Sequence, residues 1–386
     1  MRIVFDGYTL CGLDGGMGAG IEHYTRELLR ALLRQKSQDK FFVLVSSNCS
    51  SKILNLLAEH AENVRFVQDP LFTIPFVGRH LYLPLRVASL RPDLYFSPFG
   101  QLPFGLFGCR SVMTVHDISI FEHPEWFADE MYSSFSTRVL VPRSFKKVDH
   151  ILCVSRWTQS RLHQQFPVTK GKTSVVHEGV ELGHHKEVQH TQHVPFDREY
   201  MLCLGTVEPR KNYVHAFRAF ERFLSMHPDQ AGQVRLIVAG KRGWKITETE
   251  EAAAAINHAW KQEDPDGVIR FIGPVTEEEK WYLLSRASGL LFLSYEEGFG
   301  LPILEAMSVG TPVIASRNGA MEEVGGDAAL FVDPEDVVAA SLAIAQCVLV
   351  PEGLQTVREQ GYLRAKQMSW DQTASKTLEY FHQFLS

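Results

Sequence analysis

Residues 200–224 read YMLCLGTVEPRKNYVHAFRAFERFL. Tyr200–Leu204 is an apolar run of strand length, and Tyr213–Leu224 reads as a helix. The loop between them, GTVEPRKN at 205–212, ends on Asn212, a good N-cap for the helix that follows. Strand, loop and helix in this order begin a βαβ unit, and the alternation continues outward in both directions. Downstream, Val234–Ala239, Val268–Ile272, Gly289–Leu293, Pro312–Ala315 and Ala329–Val332 are further strands. Helix starts are marked by Thr276 with Glu279, a capping box, and by Asp333-Pro334, an N-cap before a proline at the first helical position. Upstream, strands are expected at Arg2–Asp6, Phe41–Val45, Val64–Val67, Asp93–Ser97, Ser111–Val115, His150–Val154 and Thr173–His177. Helices are expected at Ile21–Gln35, Ala128–Lys147 and Arg156–Gln165. The fold class is therefore α/β, with parallel sheets covered on both faces.

The pattern breaks at 183–198, GHHKEVQHTQHVPFDR, which is polar and nonperiodic. The expected organisation is an N-terminal lobe at 1–185, a linker at 186–198 and a C-terminal lobe at 199–369. Two doubly wound lobes bind ligands beyond the carboxyl ends of their strands, so a cleft between them is the expected active site.

Composition agrees with two ordinary domains. The chain has 386 residues, 45% hydrophobic and 22% charged, which excludes disorder and collagen-like repeats. A net charge of −6 and a pI near 6.2 set aside a general nucleic-acid binder. The six cysteines form no C-x-x-C pair, which argues against a zinc finger or a disulfide framework and for a reducing compartment. The start, MRIVFDGYTL, shows no secretory h-region, and no stretch reaches ~18 uninterrupted apolar residues. A cytoplasmic location is expected, with peripheral contact on the inner face of the membrane as an option.

Four segments carry chemistry. Gly12–Gly20, GLDGGMGAG, holds five glycines between the first strand and the first helix, where backbone N–H groups can approach an anion or a sugar. Gly205–Asn212 sets Arg210 and Lys211 at a strand's carboxyl end beside a helix N-terminus, and the three positive potentials together suit a diphosphate. Glu296–Gly310, EEGFGLPILEAMSVG, offers backbone N–H groups at Gly298, Phe299 and Gly300. Its Glu297 and Glu305 can accept sugar hydroxyls, and Glu305 is taken to lie in the first turn of the helix that Pro302 starts. Two carboxylates beside a phosphate would repel it, so they should face hydroxyls. Val112–Ile118, VMTVHDI, brings His116 and Asp117 out at a strand's carboxyl end.

Together these stretches resemble the family 4 retaining glycosyltransferases of the GT-B fold, whose donor motif E-x7-E is matched by Glu297 and Glu305 inside EGFGLPILEAM. GTVEPRKN, TVHDI, VSRWTQSRL (154–162), VVHEGVE (175–181) and a glycine-rich loop before HYTRELL match in register from about residue 2 to residue 335. The likeness is greatest to bacterial mannosyl- and other hexosyltransferases of surface-polysaccharide assembly. It implies two Rossmann-like lobes facing a central cleft, and a last helix, 370–386, that packs back on the first lobe. It implies catalytic roles for His116, Arg210, Lys211 and Glu297. The implied donor-binding residues are Gly16, Met17 and Gly18 in the first loop, Gly205 and Thr206 in the phosphate loop, and Val275 beside the base. Gly298, Phe299, Gly300, Leu301 and Glu305 complete that set. In this implied arrangement Arg210 and Lys211 hold the diphosphate, Glu305 the ribose, and Glu297 the sugar, which His116 meets from the first lobe. Thr206 stands where many relatives carry arginine, and GIEHY (20–24) replaces the usual GIGRY, so His23 stands for an arginine.

The implied reaction moves a hexose, with GDP-mannose the favoured donor, from a nucleotide-diphosphate sugar to a hydroxyl of a glycan or lipid-linked sugar. No cofactor and no metal are implied. The alternatives are a UDP-sugar-dependent glucosyl- or N-acetylhexosaminyltransferase, a sugar-nucleotide epimerase or hydrolase, and a silent nucleotide-sugar binder. Asp264-Pro265-Asp266 spells D-x-D but reads as a turn, and His184, His185, His190 and His193 read as a solvated hinge. Residues 71–87 are apolar with Arg79 and Arg86 interleaved, 102–107 add a second apolar patch, and these stretches either pack as core or touch a membrane.

Overall fold

The computed structural model describes residues 1–10, 19–47, 49, 54, 57, 63–74, 76–182 and 198–384, and the chain divides into two units. Unit 1 comprises Met1–Ile118, Glu130–Gly179 and Trp370–Ser386, and unit 2 comprises Ser119–Asp129 and Val180–Ser369.

Unit 1 is built on β1 (Arg2–Asp6), β2 (Lys40–Ser46), β3 (Val64–Asp69), β4 (Leu94–Ser97), β5 (Arg110–Val115), β6 (His150–Cys153) and β7 (Thr173–Val175). They form one parallel sheet in the order β3-β2-β1-β4-β5-β6-β7. Both faces are covered, so β4 and β6 are buried at every residue. The helix Ala19–Arg34 turns Tyr24, Leu28 and Leu32 inward at helical spacing. The helix Trp370–Gln383 lies in this unit, with the Phe381 ring 5.0 Å from that of Phe96 on β4 and Trp370 5.8 Å from Tyr24.

Unit 2 carries β8 (Glu199–Leu204), β9 (Val234–Ala239), β10 (Ile269–Gly273), β11 (Gly289–Phe292), β12 (Val313–Ser316) and β13 (Leu330–Val332), parallel in the order β10-β9-β8-β11-β12-β13. The helix Tyr213–Met226 buries Phe217, Phe220, Phe223 and Leu224 in its core. Two doubly wound α/β units are thus present, as the alternation implied. The capping box at Thr276 and Glu279 is formed on both sides.

Four local expectations are corrected. The single helix expected at 128–147 is three pieces, Asp129–Ser133, a wide turn at Ser136–Leu140 and Val141–Lys147. The Ser134 hydroxyl accepts from Thr137 N–H at 3.1 Å, a local bond that competes with the helix ladder, and Pro142 fits only the first turn of the last piece. Asp333 does not cap a helix: its carboxylate accepts from Glu335 N–H, and Asp336 caps Val337–Leu349 instead. Asn212 precedes its helix in the left-handed region, φ 56°, and its side chain makes no cap. Cys109, Cys153, Cys203 and Cys347 are free thiols, whereas Cys49 is disulfide-bonded, contrary to the expectation of thiols alone.

Candidate active site

In unit 2 the chain winds outward from β8 through β9 to β10 on one side, and from β11 through β12 to β13 on the other. The loops leaving β8 and β11 therefore emerge side by side at the switch point of the sheet, where α/β folds bind ligands. These loops are GTVEPRKN and the turn before the helix Leu301–Ser308. Three hydrogen bonds tie them: Tyr295 N–H to the Arg210 carbonyl at 2.8 Å, Arg210 Nη1 to the Glu296 carbonyl at 3.0 Å, and Asn212 Nδ2 to the Leu293 carbonyl at 3.0 Å. Asn212 Nδ2 also donates to the Pro334 carbonyl at 2.8 Å, so this buried side chain serves as a cross-brace. Gly205 adopts φ +129°, and a Cβ there would stand 3.3 Å from Lys211 Cε, so glycine lets the lysine fold back against the strand end.

The charges meet between the two loops. Lys211 Nζ donates to Glu297 Oε1 at 2.6 Å, and Arg210 Nη1 donates to Glu297 Oε2 at 2.8 Å. Arg210 Nη2 donates to Glu208 Oε1 at 2.9 Å. Burial alone would raise the Glu297 carboxyl, but the Arg210 and Lys211 charges overturn this and bring its pKa down to about 2. Glu208 goes the other way: burial raises its carboxyl despite Arg210 and Lys211, and the Glu297 charge adds to the rise. Two cations and two carboxylates thus balance formally. The sequence expectation had the cations waiting for phosphate and Glu297 facing hydroxyls, whereas here they are partners.

Glu305 is the fifth residue of Leu301–Ser308, not part of its first turn, so dipole complementation does not account for it. It is buried, and its Oε1 accepts from Lys280 Nζ at 2.6 Å, which also bridges Glu277 at 2.9 Å. Burial would lower the Lys280 ammonium, but Glu305 and Glu277 outweigh it and hold the pKa above the ordinary lysine value. Gly298, Phe299 and Gly300 are buried in the turn, with Gly300 at φ +102°, and Leu301 opens the helix. Thr206 and Val275 are half-buried, after β8 and β10 respectively.

Residues 119–129 belong to the same unit. The Trp126 ring stacks between His123 at 4.0 Å and Tyr295 at 5.8 Å, and the Trp126 carbonyl accepts from Trp244 Nε1 at 2.7 Å. His123 Nε2 lies 3.8 Å from Glu296 Oε2, so this segment braces the loop that carries Glu297.

His116 lies in unit 1, just past β5. Its Nδ1 meets Glu178 Oε1 at 3.0 Å and its Nε2 meets the Pro98 carbonyl at 2.9 Å. The Pro98 carbonyl can only accept, so Nε2 carries a proton, and Nδ1 shares a hydrogen bond with the Glu178 carboxyl. Burial would lower its pKa, yet the Glu178 hydrogen bond and charge raise it above the ordinary histidine value. Tyr24 closes edge-on at 4.5 Å. Gly16, Met17 and Gly18 lie outside the described residues, as do the four histidines at 184–193.

The structure joins Arg210, Lys211 and Glu297 in direct contact, while Glu305 pairs with Lys280 instead and His116 belongs to unit 1. Sequence reasoning gave no role to Glu208, Lys280, Glu178 or the 119–129 segment. Glu208 and Glu178 stood inside quoted motifs, but Lys280 and Trp126 had no sequence signal, because their partners are remote in the chain. Asp264, of the D-x-D string, is buried against Arg235 at 2.6 and 2.9 Å and Arg198 at 2.8 Å.

Comparisons with known proteins follow this geometry. The family model described as "Glycosyl transferases group 1" matches residues 186–364, and "Glycosyltransferase Family 4" matches residues 18–184. The chain is 30% identical over 389 residues to the O-antigen chain mannosyltransferase B of Escherichia coli, covering 94% of this chain and 95% of that one. It is 30% identical over 245 residues to a D-inositol 3-phosphate glycosyltransferase of Acidothermus cellulolyticus, 61% of this chain and 53% of that one. Among solved structures it resembles a sucrose-phosphate synthase from Thermosynechococcus elongatus, with TM-score 0.74, 19% identity and coverage of 100% and 99%. It also resembles a UDP-forming α,α-trehalose-phosphate synthase from Burkholderia xenovorans, with TM-score 0.69, 13% identity and 99% of each chain. At these identities the structural likenesses concern the fold alone.

Proposed function

The chain belongs to the family 4 glycosyltransferases, with a group 1 glycosyltransferase domain after it in the same chain, and from that premise we propose that it transfers mannose from GDP-mannose to a hydroxyl acceptor with retention of configuration. The observation that carries the proposal is the Glu208–Arg210–Lys211–Glu297 cluster at the switch point of unit 2. A nucleotide diphosphate entering there competes with Glu297 for Arg210 and Lys211. The stronger anion takes the cations, and the freed Glu297 carboxylate turns to the sugar hydroxyls. Glu208 stays with Arg210 and keeps the guanidinium oriented. Glu305 keeps one oxygen on Lys280 and offers the other to the ribose, with Val275 beside the base. The turn Gly298–Leu301 and the loops at Gly205–Thr206 and Gly16–Gly18 line the donor.

As the bond from the sugar's anomeric carbon to the phosphate oxygen breaks, negative charge grows on that oxygen. Arg210 and Lys211 stabilise it without reorganising, which lowers the barrier. The acceptor hydroxyl attacks the same face, its oxygen bonds to the anomeric carbon, and its proton passes to the departing phosphate. No side-chain base is required, in keeping with His116, whose two nitrogens are both engaged by Glu178 and the Pro98 carbonyl. Two fixed cations take the part that a metal would otherwise play.

Mannose is favoured by the name of the Escherichia coli relative, matched over nearly its full length. The test is a thermal-shift screen of GDP-, UDP- and ADP-sugars followed by turnover of Lys211→Ala. GDP-mannose should give the largest shift, and Lys211→Ala should lower turnover at least ~tenfold, the loss of one charge-stabilising contact, while the variant stays folded with a lower melting temperature, because Glu297 keeps only Arg210. A larger shift with a UDP-sugar would overturn the donor, and near-normal turnover of the variant would overturn the role of Lys211.

A further inference from the structure

The loop from β8 that carries Arg210 and Lys211 is held on both flanks. On one side, the loop after β9 bonds to it along the backbone. Val207 N–H donates to the Lys241 carbonyl at 2.9 Å, and Gly243 N–H donates to the Val207 carbonyl at 3.0 Å. A Cβ on Gly243 would stand 2.5 Å from that carbonyl, so glycine sets this approach. On the other side, the loop after β11 donates Tyr295 N–H to the Arg210 carbonyl at 2.8 Å. β8 lies between β9 and β11 in the sheet, so no strand pairing joins the two flanking loops to each other.

Residues 119–129 join them. The Trp126 ring stacks on Tyr295 of the β11 loop at 5.8 Å, with 16° between the ring planes. The Trp126 carbonyl accepts from Trp244 Nε1 of the β9 loop at 2.7 Å, and the Phe127 ring stacks on Trp244 at 6.1 Å. Beside it, Lys245 Nζ donates to the Glu125 carbonyl at 2.9 Å. Lys245 holds φ 52°, a left-handed backbone that a lysine keeps only where its surroundings impose it. Tyr295 is anchored further: Asn318 Nδ2 donates to its carbonyl, and its hydroxyl shares a hydrogen bond with His215 Nδ1 at 3.3 Å. The chain leaves unit 1 after Ile118, makes these contacts with two loops of unit 2, and belongs to unit 1 again from Glu130. Trp126, Tyr295 and Trp244 are all half-buried, so what these contacts supply is orientation more than core volume.

We propose that Trp126 is a positioning residue for the transfer reaction: by joining the β9 and β11 loops it fixes the two flanks of the β8 loop, and through them the placement of Arg210 and Lys211 against the departing phosphate. The inference rests on the donor reading above. Charge that develops in the transition state is stabilised by groups already in place, and this stabilisation falls steeply when they are misplaced. The attraction of the same cations for a bound diphosphate varies only inversely with distance and is less demanding of position. Loosening the 119–129 segment therefore costs turnover more than it costs nucleotide affinity.

The test compares the parent with Trp126→Ala, Trp126→Phe and Trp244→Phe, each as the full chain. Calorimetric titration with GDP, or with UDP where the parent prefers it, counts the competent sites and gives their Kd, and turnover is expressed per counted site. Trp126→Ala should lose at least ~tenfold in kcat per site, the effect of misplaced charge, while Kd changes less than ~threefold. Trp126→Phe keeps a ring against Tyr295 and should recover kcat to within ~threefold of the parent. Trp244→Phe removes the Nε1–H donated to the Trp126 carbonyl and keeps a ring beside Phe127; it should lower kcat ~threefold or more at the same Kd, and it carries the test if Trp126→Ala does not fold. Parental kcat per site in Trp126→Ala or Trp244→Phe, equal losses in Trp126→Ala and Trp126→Phe, or a Kd weakened as much as kcat would overturn the proposal. So would a loss confined to the number of sites, the mark of a purely structural contact. A parent that binds neither nucleotide and transfers no sugar would sink the donor reading itself, and this proposal with it.

Discussion

The Glu297 carboxylate is buried and the His116 ring half-buried, and each is paired with side chains of the opposite kind, Arg210 and Lys211 for the first and Glu178 for the second. Glu297 is depressed to about 2 by Arg210 and Lys211, and each unit of such a shift is worth ~1.4 kcal/mol. Its contribution to stability is present above the ordinary glutamate pKa and is lost as pH falls through about 2. His116 is the reverse case. Its pKa is raised by Glu178, so its contribution is full below the ordinary value of ~6.5 and is lost as pH rises through the elevated one. Glu178→Gln should therefore destabilise the protein most near about pH 6 and progressively less at alkaline pH. Melting curves of parent and variant across pH give the difference directly, and the His116 ring resonance should titrate at lower pH in the variant. A difference that is flat with pH would mean that the two side chains are not an ion pair. None of this pairing was legible locally. The sequence displays Arg210, Lys211 and Glu297 as motif residues, but the contacts span 86 and 87 positions, and only the β8–β11 adjacency brings them together.

At the scale of elements, strands and helices were read well because their signal is short-ranged. Arg2–Asp6, Val234–Ala239 and Arg156–Gln165 have the bounds that periodicity indicates, and the remaining strands differ by a residue or two at their ends. Failures fall where a side chain abandons its usual local role for a distant one. Asn212 has the composition of a cap, yet its amide reaches the carbonyls of Leu293 and Pro334. Its left-handed backbone is tolerated because asparagine, after glycine, pays least for it. Two substitutions separate these effects. Asn212→Ala loses both bonds and keeps a Cβ at φ 56°, and should cost ~2–4 kcal/mol from two stranded carbonyls plus backbone strain. Asn212→Gly loses the same bonds without the strain and should cost ~1 kcal/mol less than the alanine variant. Denaturant unfolding measures both. Equal losses would show that the backbone conformation stores nothing.

Across the whole molecule, the two-fold repetition of a doubly wound sheet was legible, but the way the chain is shared between units was not. Periodicity reports which face of an element is buried and is silent about which sheet buries it. Residues 119–129 and the helix Trp370–Gln383 are the two cases. The first is counted with unit 2 through Trp126, Tyr295 and Trp244, and the second with unit 1 through Trp370 and Phe381. If each unit owns its core, damage in one should not loosen the other. Phe381 is fully buried against Phe96, and Phe381→Ala should cost ~3–5 kcal/mol, the usual result of emptying an aromatic site. Hydrogen exchange on the full chain resolves where that loss is felt. Amides of β4 and of the helix Ala19–Arg34 should exchange faster, because Phe381 and Trp370 pack on them, while amides of β8 and β11 keep their protection. Uniform loss of protection in both sheets would mean one cooperative core, and the ion-pair cluster at Arg210, Lys211 and Glu297 would then depend on a helix more than 150 positions away from Lys211 in the sequence.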